Sequence, residues 1–293
     1  MMRDGLVVVD KPAGFTSHDV VAKLRKAYGQ RRVGHAGTLD PDATGVLLVG
    51  LGRATRLLRY LSESGKAYRG RVVFGIATST LDAAGEVVDQ RPMPITAHDV
   101  ERALPEFVGD IEQLPPMVSA EKVGGRRLHE LARAGQEVER APRPVHVDRF
   151  ELESFQPGAY PEATFVIECG SGTYVRTLAA DLGAALGGCA HLAELRRLRV
   201  GSFTIAEARP LADVEAAPDD AVLPLVVAMR DLERVDVDDE QSRAVSHGVS
   251  FAYGALAVRG DGPYALVGPD GTLLAVYDAR GSALRPAVVV TGS

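Results

Sequence analysis

Cysteine is scarce in this chain: Cys169 and Cys189 are the only two, and they form no C-x-x-C pair. That spacing supports neither a disulfide framework nor a zinc site, and two buried free thiols are expected. Long apolar runs are missing as well. No stretch of about 18 apolar residues occurs, and Met1-Met2-Arg3-Asp4-Gly5 leads into a short strand-like run rather than a secretory signal. A cytoplasmic (cytosolic) protein with no membrane partner is expected. There is no Walker loop and no His-Glu-x-x-His helix; Gly170-x-Gly172 lacks the third glycine of a dinucleotide fingerprint, and His191 has no Cys or His partner at ligand spacing. Neither a metal nor a nucleotide cofactor is therefore expected.

The composition suits a soluble globular protein, with 46% hydrophobic and 25% charged residues. Its length of 293 residues fits one large domain plus a small one. The net charge of −6 is unevenly spread. Residues 1–60 hold ten Lys/Arg against five Asp/Glu, whereas 211–293 hold six against thirteen, a charge of −7 that leaves the first 210 residues at +1. A local basic face for phosphates is compatible with that distribution.

Gly5 to Val9 reads as a buried strand stopped by Lys11-Pro12-Ala13-Gly14. Thr16 to Asp19 offers N-caps for an amphipathic helix through Tyr28, with Val20, Val21 and Leu24 inward and Gly29 as its stop. Val46 to Gly52 is apolar. Arg53 to Leu61 has helical periodicity, its three arginines forming either a solvated face or a functional one. Lys66 to Ile76 alternates as a strand, and a helix over Ile95–Phe107 can be capped by Thr96. Val145–Glu153 and Ala163–Cys169 read as paired strands, followed by the turn Gly170–Thr177 into a helix over Leu178–Leu186. In a strand, Tyr174 and Arg176 would share a face. His191 to Arg199 carries Leu192, Leu195 and Leu198 at helical spacing. Past an acidic connector near Asp213–Asp220, short apolar runs and the turn Pro269-Asp270-Gly271 predict a small all-β module.

Two stretches carry the chemistry. The loop Gly34-His35-Ala36-Gly37-Thr38-Leu39-Asp40-Pro41-Asp42-Ala43-Thr44-Gly45 presents carboxylates and hydroxyls between glycines, and Pro41 biases Asp40 toward an extended backbone. A fixed loop holding a carboxylate at a cleft is expected. Asp40-Pro41-Asp42-Ala43-Thr44 also fits the Asp-x-Asp-x-Thr of aspartate-nucleophile phosphatases, but those place the motif after a buried strand, and here the strand follows. The second stretch, 113–144, is bounded by Pro and Gly, and residues 122–149 hold seven Lys/Arg against four Asp/Glu. It is either a surface loop or a grip for an anionic polymer.

Asp10-Lys11-Pro12-x-Gly14-x-Thr16-Ser17, the Gly34–Gly45 motif, Lys66-x-Tyr68, Gly172-Thr173-Tyr174-Val175-Arg176 and Leu195-Arg196-Arg197 occur in this order. Together they resemble the TruB family of tRNA pseudouridine synthases, from about Gly5 to Phe203, and the tail resembles the PUA module that family often carries. The resemblance implies an α+β pseudouridine synthase fold with a large mixed, mainly antiparallel central sheet flanked by helices and loops, plus a small all-β PUA-like domain. It implies a catalytic domain over 1–228, with an RNA-gripping insertion at about 113–144, and the PUA-like domain over 229–293.

The implied activity is isomerisation of uridine 55 in the tRNA T loop to pseudouridine, with base flipping and without a cofactor, by a monomer. Asp40 would be the catalytic aspartate, attacking either C6 of the base or C1′ of the ribose. Arg176 would pair with it, and Tyr68 would stack on the base. Tyr174 and Leu195 would wall the pocket, His35 would occupy the space the base vacates, Lys11 would make a phosphate or pocket-side contact, and Lys122 and Arg126 would grip the T arm. Two positions depart from the family pattern: Ser79 stands where an aspartate is expected, with Asp82 retained, and His129 replaces an aromatic. A tRNA-folding chaperone would need only the basic surfaces, so Asp40, Tyr68 and Arg176 together favour an enzyme.

Overall fold

The computed structural model describes residues 3–118 and 138–290, together with the backbone of 122–123 and 126–127. β1 (Gly5–Lys11) is the first apolar run. α1 (Ser17–Ala27) opens on a capping box in which the Thr16 hydroxyl accepts from the Asp19 N–H and the Asp19 carboxylate accepts from the Thr16 N–H. Its Val20, Val21 and Leu24 are buried, as their spacing predicts. β2 (Val33–Ala36) and β3 (Thr44–Leu51) bracket the motif loop. The single helix expected over Arg53–Leu61 is divided into a 3-10 turn, Gly52–Arg56, and α2 (Leu58–Glu63). In that turn the Thr55 hydroxyl donates to the Gly52 carbonyl, occupying an acceptor that a continuous α-helix would use.

β4 (Lys66–Phe74), β5 (Ile76–Thr78) and β6 (Val87–Gln90) follow. α3 (Ala97–Ala103) has a second capping box, Thr96 with Asp99, and ends in a 3-10 turn through Phe107. Then come β7 (Gly109–Gln113), the short ladder of β8 (Lys122–Val123) and β9 (Arg126–Arg127), β10 (Arg143–Gln156) and β11 (Glu162–Cys169). α4 (Val175–Ala185) begins three residues before the predicted start, so Tyr174 is an N-cap and Arg176 lies in the first helical turn rather than on a strand face.

The helical spacing of 191–199 also proves misleading, because β12 (Ala190–Val200) is a strand antiparallel to β4. Two bulges, between Leu192 and Glu194 and between Arg197 and Arg199, each insert a residue, so leucines that would recur at two recur at three. The remaining elements are β13 (Phe203–Thr204), β14 (Arg209–Pro210), α5 (Leu211–Ala216), α6 (Leu225–Ala228), β15 (Glu233–Asp236), α7 (Asp239–Ser246), β16 (Phe251–Ala252), β17 (Tyr264–Val267), β18 (Leu273–Arg280) and β19 (Ala283–Val289).

The chain forms two compact units: residues 1–41, 46–62 and 201–293 make one, and 42–45 with 63–200 make the other. In the first, β1 lies between β14, to which it runs parallel, and β3, against which β2 runs antiparallel. Val20, Val21 and Leu24 of α1 and Leu211 and Val214 of α5 join Val7, Val9, Leu47 and Val49 in one core. The same unit contains a five-stranded sheet, β15-β17-β18-β19-β16, with its own core around Tyr264, Leu266 and Tyr277. The expected strand module is thus present, with α7 added to it.

In the second unit β12, β4, β11, β10 and β7 are antiparallel neighbours in that order, and Thr44 and Gly45 pair in parallel with Arg196 and Arg197. The architecture is α+β, with mixed, mainly antiparallel pairing.

Candidate active site

In the first unit, the motif loop is tied at both sides of Asp40. On one side the Ser17 hydroxyl exchanges hydrogen bonds with Leu39, accepting from its N–H at 2.9 Å and donating to its carbonyl at 3.2 Å. On the other, the Pro41 carbonyl accepts from Lys11 Nζ at 2.8 Å and from the Gly14 N–H at 3.0 Å. Lys11 has no exposed surface, and its ammonium also donates to the carbonyls of Pro12 and Phe15. Of the two contacts expected of Lys11, with a phosphate or on the pocket side, the first has no exposed atom to make it; the side chain lies beneath the loop and fastens it. Asp40 is half-buried and Asp42 is exposed. His35, on β2, is half-buried and meets the His18 ring edge-on at 5.1 Å between centroids.

In the second unit, Tyr68 is buried on β4, paired with Ile167 of β11 and Arg197 of β12. Directly paired residues share a sheet face, so Tyr68 and Arg197 lie on one face with the next pair, Gly70 and Leu195. A Cβ at Gly70 would meet Leu192 Cδ1 at a tight 3.2 Å and Leu195 Cδ1 at an ordinary 3.6 Å, so the glycine gives room chiefly to Leu192. Gly45, at φ +102°, has no room for a Cβ because the Arg197 carbonyl oxygen would lie 2.1 Å from it. Lys66, two residues before Tyr68, is buried, and burial first, then Arg197, pulls its amine down to about 8.

Arg176 is buried in the first turn of α4, and the acceptors of its guanidinium include the Asp82 carboxylate at 3.0 Å, the Val118 carbonyl at 3.0 Å and the Thr80 carbonyl at 3.3 Å. Asp82 sits in a tightly determined turn. The Thr80 hydroxyl and the Ala84 N–H both donate to its Oδ1, leaving Oδ2 for the guanidinium. Leu81 beside it has φ +64°, in the left-handed region, and is held there by an exchange in which Leu192 N–H donates to the Leu81 carbonyl and Ala83 N–H donates to the Leu192 carbonyl. Tyr174 borders a cavity of about 250 Å³ with Gln113, Arg143 and Ser171.

The family model for the N-terminal domain of TruB family pseudouridylate synthases matches residues 25–175. Models of the tRNA pseudouridylate synthase B C-terminal domain and the tRNA pseudouridine synthase II C-terminus match 176–232 and 232–291. A tRNA pseudouridine synthase B of Symbiobacterium thermophilum is 51% identical over 250 residues, 85% of this chain and 83% of that protein. The Thermobifida fusca enzyme of the same name is 45% identical over 304 residues and covers all of both chains. The chain belongs to the TruB family. It is a pseudouridine synthase, an isomerase that turns uridine into pseudouridine in RNA. A solved Cbf5-Nop10-Gar1 complex contains the same fold, with a TM-score of 0.77 and 27% identity over 98% of this chain and 85% of that one. An H/ACA ribonucleoprotein bound to a substrate RNA containing 2′-deoxyuridine gives 0.76 and 25% over the same shares.

Against the TruB motif set, the structure adds three residues that the sequence left without roles. Asp82 is a carboxylate partner of Arg176, whereas Ser79 stands where the family pattern has an aspartate. That serine instead closes the turn, its hydroxyl accepting from the Glu86 N–H. Ser17 holds Leu39, and Gln113 holds the backbone of Tyr174. The Thr-x-Asp spacing at Thr80 and Asp82 was the one available signal for the first.

Lys122 and Arg126 lie on the β8–β9 ladder, where Lys122 pairs with Arg127 and Val123 with Arg126. Their side chains, the short helix expected at Leu128–Ala134 and His129 lie outside the described residues. Among the described residues no three His, Cys, Asp or Glu side chains are grouped to hold a metal, and no helix is long and apolar enough to cross a membrane. Cys169 is buried and Cys189 half-buried, both as free thiols.

Proposed function

We propose that this enzyme isomerises uridine 55 in the T loop of tRNA, with Asp40 as the catalytic carboxylate and no metal or cofactor. The observation that carries this reading is the double tie on Leu39 and Pro41, which fixes the backbone on both sides of Asp40 while leaving that residue half-buried. Such preorganisation is what a carboxylate nucleophile needs, because a reacting group held in place avoids an ordering cost at the moment of reaction. The reaction breaks the bond from N1 of the base to C1′ and forms one from C5 to C1′. The C5 proton leaves to solvent and N1 regains one, so no oxidant or co-reactant is consumed. Attack by Asp40 at C6 and attack at C1′ both fit this balance.

The target base must leave its stack to reach Asp40, at a cost of a few kcal/mol. Tyr68 stacks on the extruded base, Leu195 and Tyr174 wall it, and His35 fills the space it vacates. Arg176 keeps Asp40 ionised and oriented. Lys11 serves indirectly, by holding the loop. Lys122 and Arg126 grip phosphates of the T arm. Residues 1–228 act as the catalytic domain and 229–293 as a PUA-like RNA-binding module, a division supported by the separate core of the five-stranded sheet. The enzyme works as a cytoplasmic monomer.

T-arm RNA tritiated at C5 of uridine 55 tests the reading. The intact enzyme should release tritium, and Asp40→Asn should release essentially none while binding the RNA as tightly. Unchanged release by Asp40→Asn sinks the assignment.

A further inference from the structure

The arginines of the segment Arg53–Leu61, a solvated face or a functional one on sequence grounds, have no part in the chemistry above. Two of them reach the C-terminal module. Arg53 Nη1 donates to the Val290 carbonyl, and Arg56 Nη1 donates to the Val289 carbonyl at 2.7 Å. Both acceptors lie where β19 ends. β16 pairs with β19 only at Ala283 and Leu284, so beyond them that edge of β19 has no strand beside it among the described residues, and Pro286 stands in the uncovered stretch. The two guanidinium groups supply donors at the end of this open edge. Arg53 is itself held in place, because its N–H and its Nε both donate to the Asp4 carboxylate, at 2.5 Å and 2.6 Å.

The chain enters the module past Met229, which is buried, and Arg230 fastens it there. The Arg230 guanidinium lies over the Phe203 ring at 3.9 Å and donates to both Glu207 carboxylate oxygens, at 2.8 Å and 2.9 Å. It also donates to the Ser202 hydroxyl at 2.6 Å and the Ser202 carbonyl at 2.8 Å. Asp231, the next residue, accepts from the Ser202 N–H at 2.9 Å. Hydrogen bonding from Arg230 draws the Glu207 carboxyl down to about 2, so the pair stays ionised across the neutral range.

Entry to the module and exit from it are thus each bound by arginine to segments of one compact unit, the unit that also contains Asp40. Partly exposed ion pairs add little to global stability. Two such fastenings at the ends of one module do restrain its rotation about a short connector, and that motion is the default for a small domain on a modest interface.

We propose that Arg53, Arg56 and Arg230 are positioning residues that fasten the C-terminal module to the part of the chain bearing Asp40, so that RNA taken by the module arrives in register with the carboxylate. The proposal rests on the reading of that module as RNA-binding. A preset module incurs no ordering cost when RNA binds, so loss of the fastening should raise KM for tRNA and spare kcat.

The test uses the full chain with spin labels at Lys26→Cys on α1 and Glu240→Cys on α7, both exposed positions, and with Cys189→Ser removing the half-buried native thiol. Double electron–electron resonance should give one narrow distance distribution for this parent. Arg53→Met/Arg56→Met, and separately Arg230→Met, should widen it at least about twofold. With unmodified tRNA tritiated at uridine C5, KM should rise about fivefold or more in both variants while kcat stays within about twofold, a split that a general loss of folding would not produce. Should one variant fail to fold, the other decides.

A parent distribution that is already broad, or variants as narrow as the parent, overturns the fastening. A widened distribution with parental KM, or a loss confined to kcat, overturns the placing of RNA by the module. The distances are measured without RNA and do not depend on which uridine is modified. A parent that binds tRNA but releases no tritium removes the proposed activity alone, and tRNA affinity then replaces KM in the same comparison.

Discussion

Replacing Asp82 with asparagine changes one atom in the support of Arg176, and the structure fixes how much should be lost. The Arg176 and Asp82 side chains are 5% and 20% exposed, and the nitrogen–oxygen distance is 3.0 Å. Two unit charges about 4 Å apart at an effective dielectric of about 20 attract by about 4 kcal/mol. A neutral amide retains a hydrogen bond of about 1 kcal/mol. The expected loss is therefore about 3 kcal/mol, at the lower edge of what removing one partner of a buried pair costs. With that oxygen turned to the guanidinium, the asparagine NH2 group faces the Thr80 hydroxyl, which can turn to accept from it, and the Ala84 N–H gives up its acceptor.

In urea unfolding followed by circular dichroism, Asp82→Asn should lose about 3 kcal/mol, and the melting temperature should drop by about 6–12 °C. Tritium release should slow at least tenfold, because the guanidinium keeps its bonds to the Thr80 and Val118 carbonyls but loses the carboxylate that orients it. A double-mutant cycle with Arg176→Met should return most of the 3 kcal/mol as coupling. Stability within about 0.5 kcal/mol of wild type together with kcat within about twofold would refute the reasoning and leave Asp82 a bystander.

Two further measurements concern Lys66 and the glycines at the motif loop. Lys66 releases its proton near pH 8 in the folded chain but near 10.5 when unfolded, so the unfolded state holds more protons between those values and stability should rise with pH from about 8. Cys169, raised by burial from 9.0 to about 11, acts in the opposite sense above pH 9, because the unfolded thiol ionises first. The urea midpoint should therefore climb between pH 8 and 9 and level off above. In Lys66→Met the climb should vanish, and a slope equal to wild type would show that Lys66 is not its source. For the motif loop, Gly14→Ala at φ +80° with nothing within 4 Å should cost about 1–2 kcal/mol. Gly45→Ala adds the 2.1 Å approach to the Arg197 carbonyl and should cost at least about 3 kcal/mol in the same urea assay. Equal losses would contradict the close approach.

What the sequence made legible is what depends on neighbours in the chain. Both capping boxes, Thr16 with Asp19 and Thr96 with Asp99, close over three residues, and their helices begin where expected. Gly45 belongs to the same class, since a positive φ restricts residue type wherever it occurs. β12 was misread because its leucine spacing is set by bulges against β4, and a bulge is a property of the pair of strands. The start of α4 was placed three residues late for a related reason: no capping side chain announces it, and the group that holds Tyr174 comes from β7. Lys11 is expected to touch a phosphate or the pocket side, and nothing local reveals that its ammonium has no exposed surface.

The misses at Lys11 and at the start of α4 share one physical cause. The backbone near Asp40, Arg176 and Tyr174 departs from regular ladders, so its carbonyls and N–H groups cannot all pair with neighbouring strands or helical turns, and buried groups of that kind must find side chains. The side chains that serve them come from far along the sequence: Lys11 reaches Pro41 across 30 residues, Gln113 reaches Tyr174 across 61, and Arg176 reaches the Thr80 carbonyl across 96. Each is polar and mostly or wholly buried, a placement that would be costly without those partners. A loop that must hold reactive groups away from regular structure therefore recruits distant polar residues, and such residues are invisible to any reading of local pattern. The same argument predicts where further supporting residues should be sought in this chain: among buried polar side chains with backbone partners, before any exposed charge.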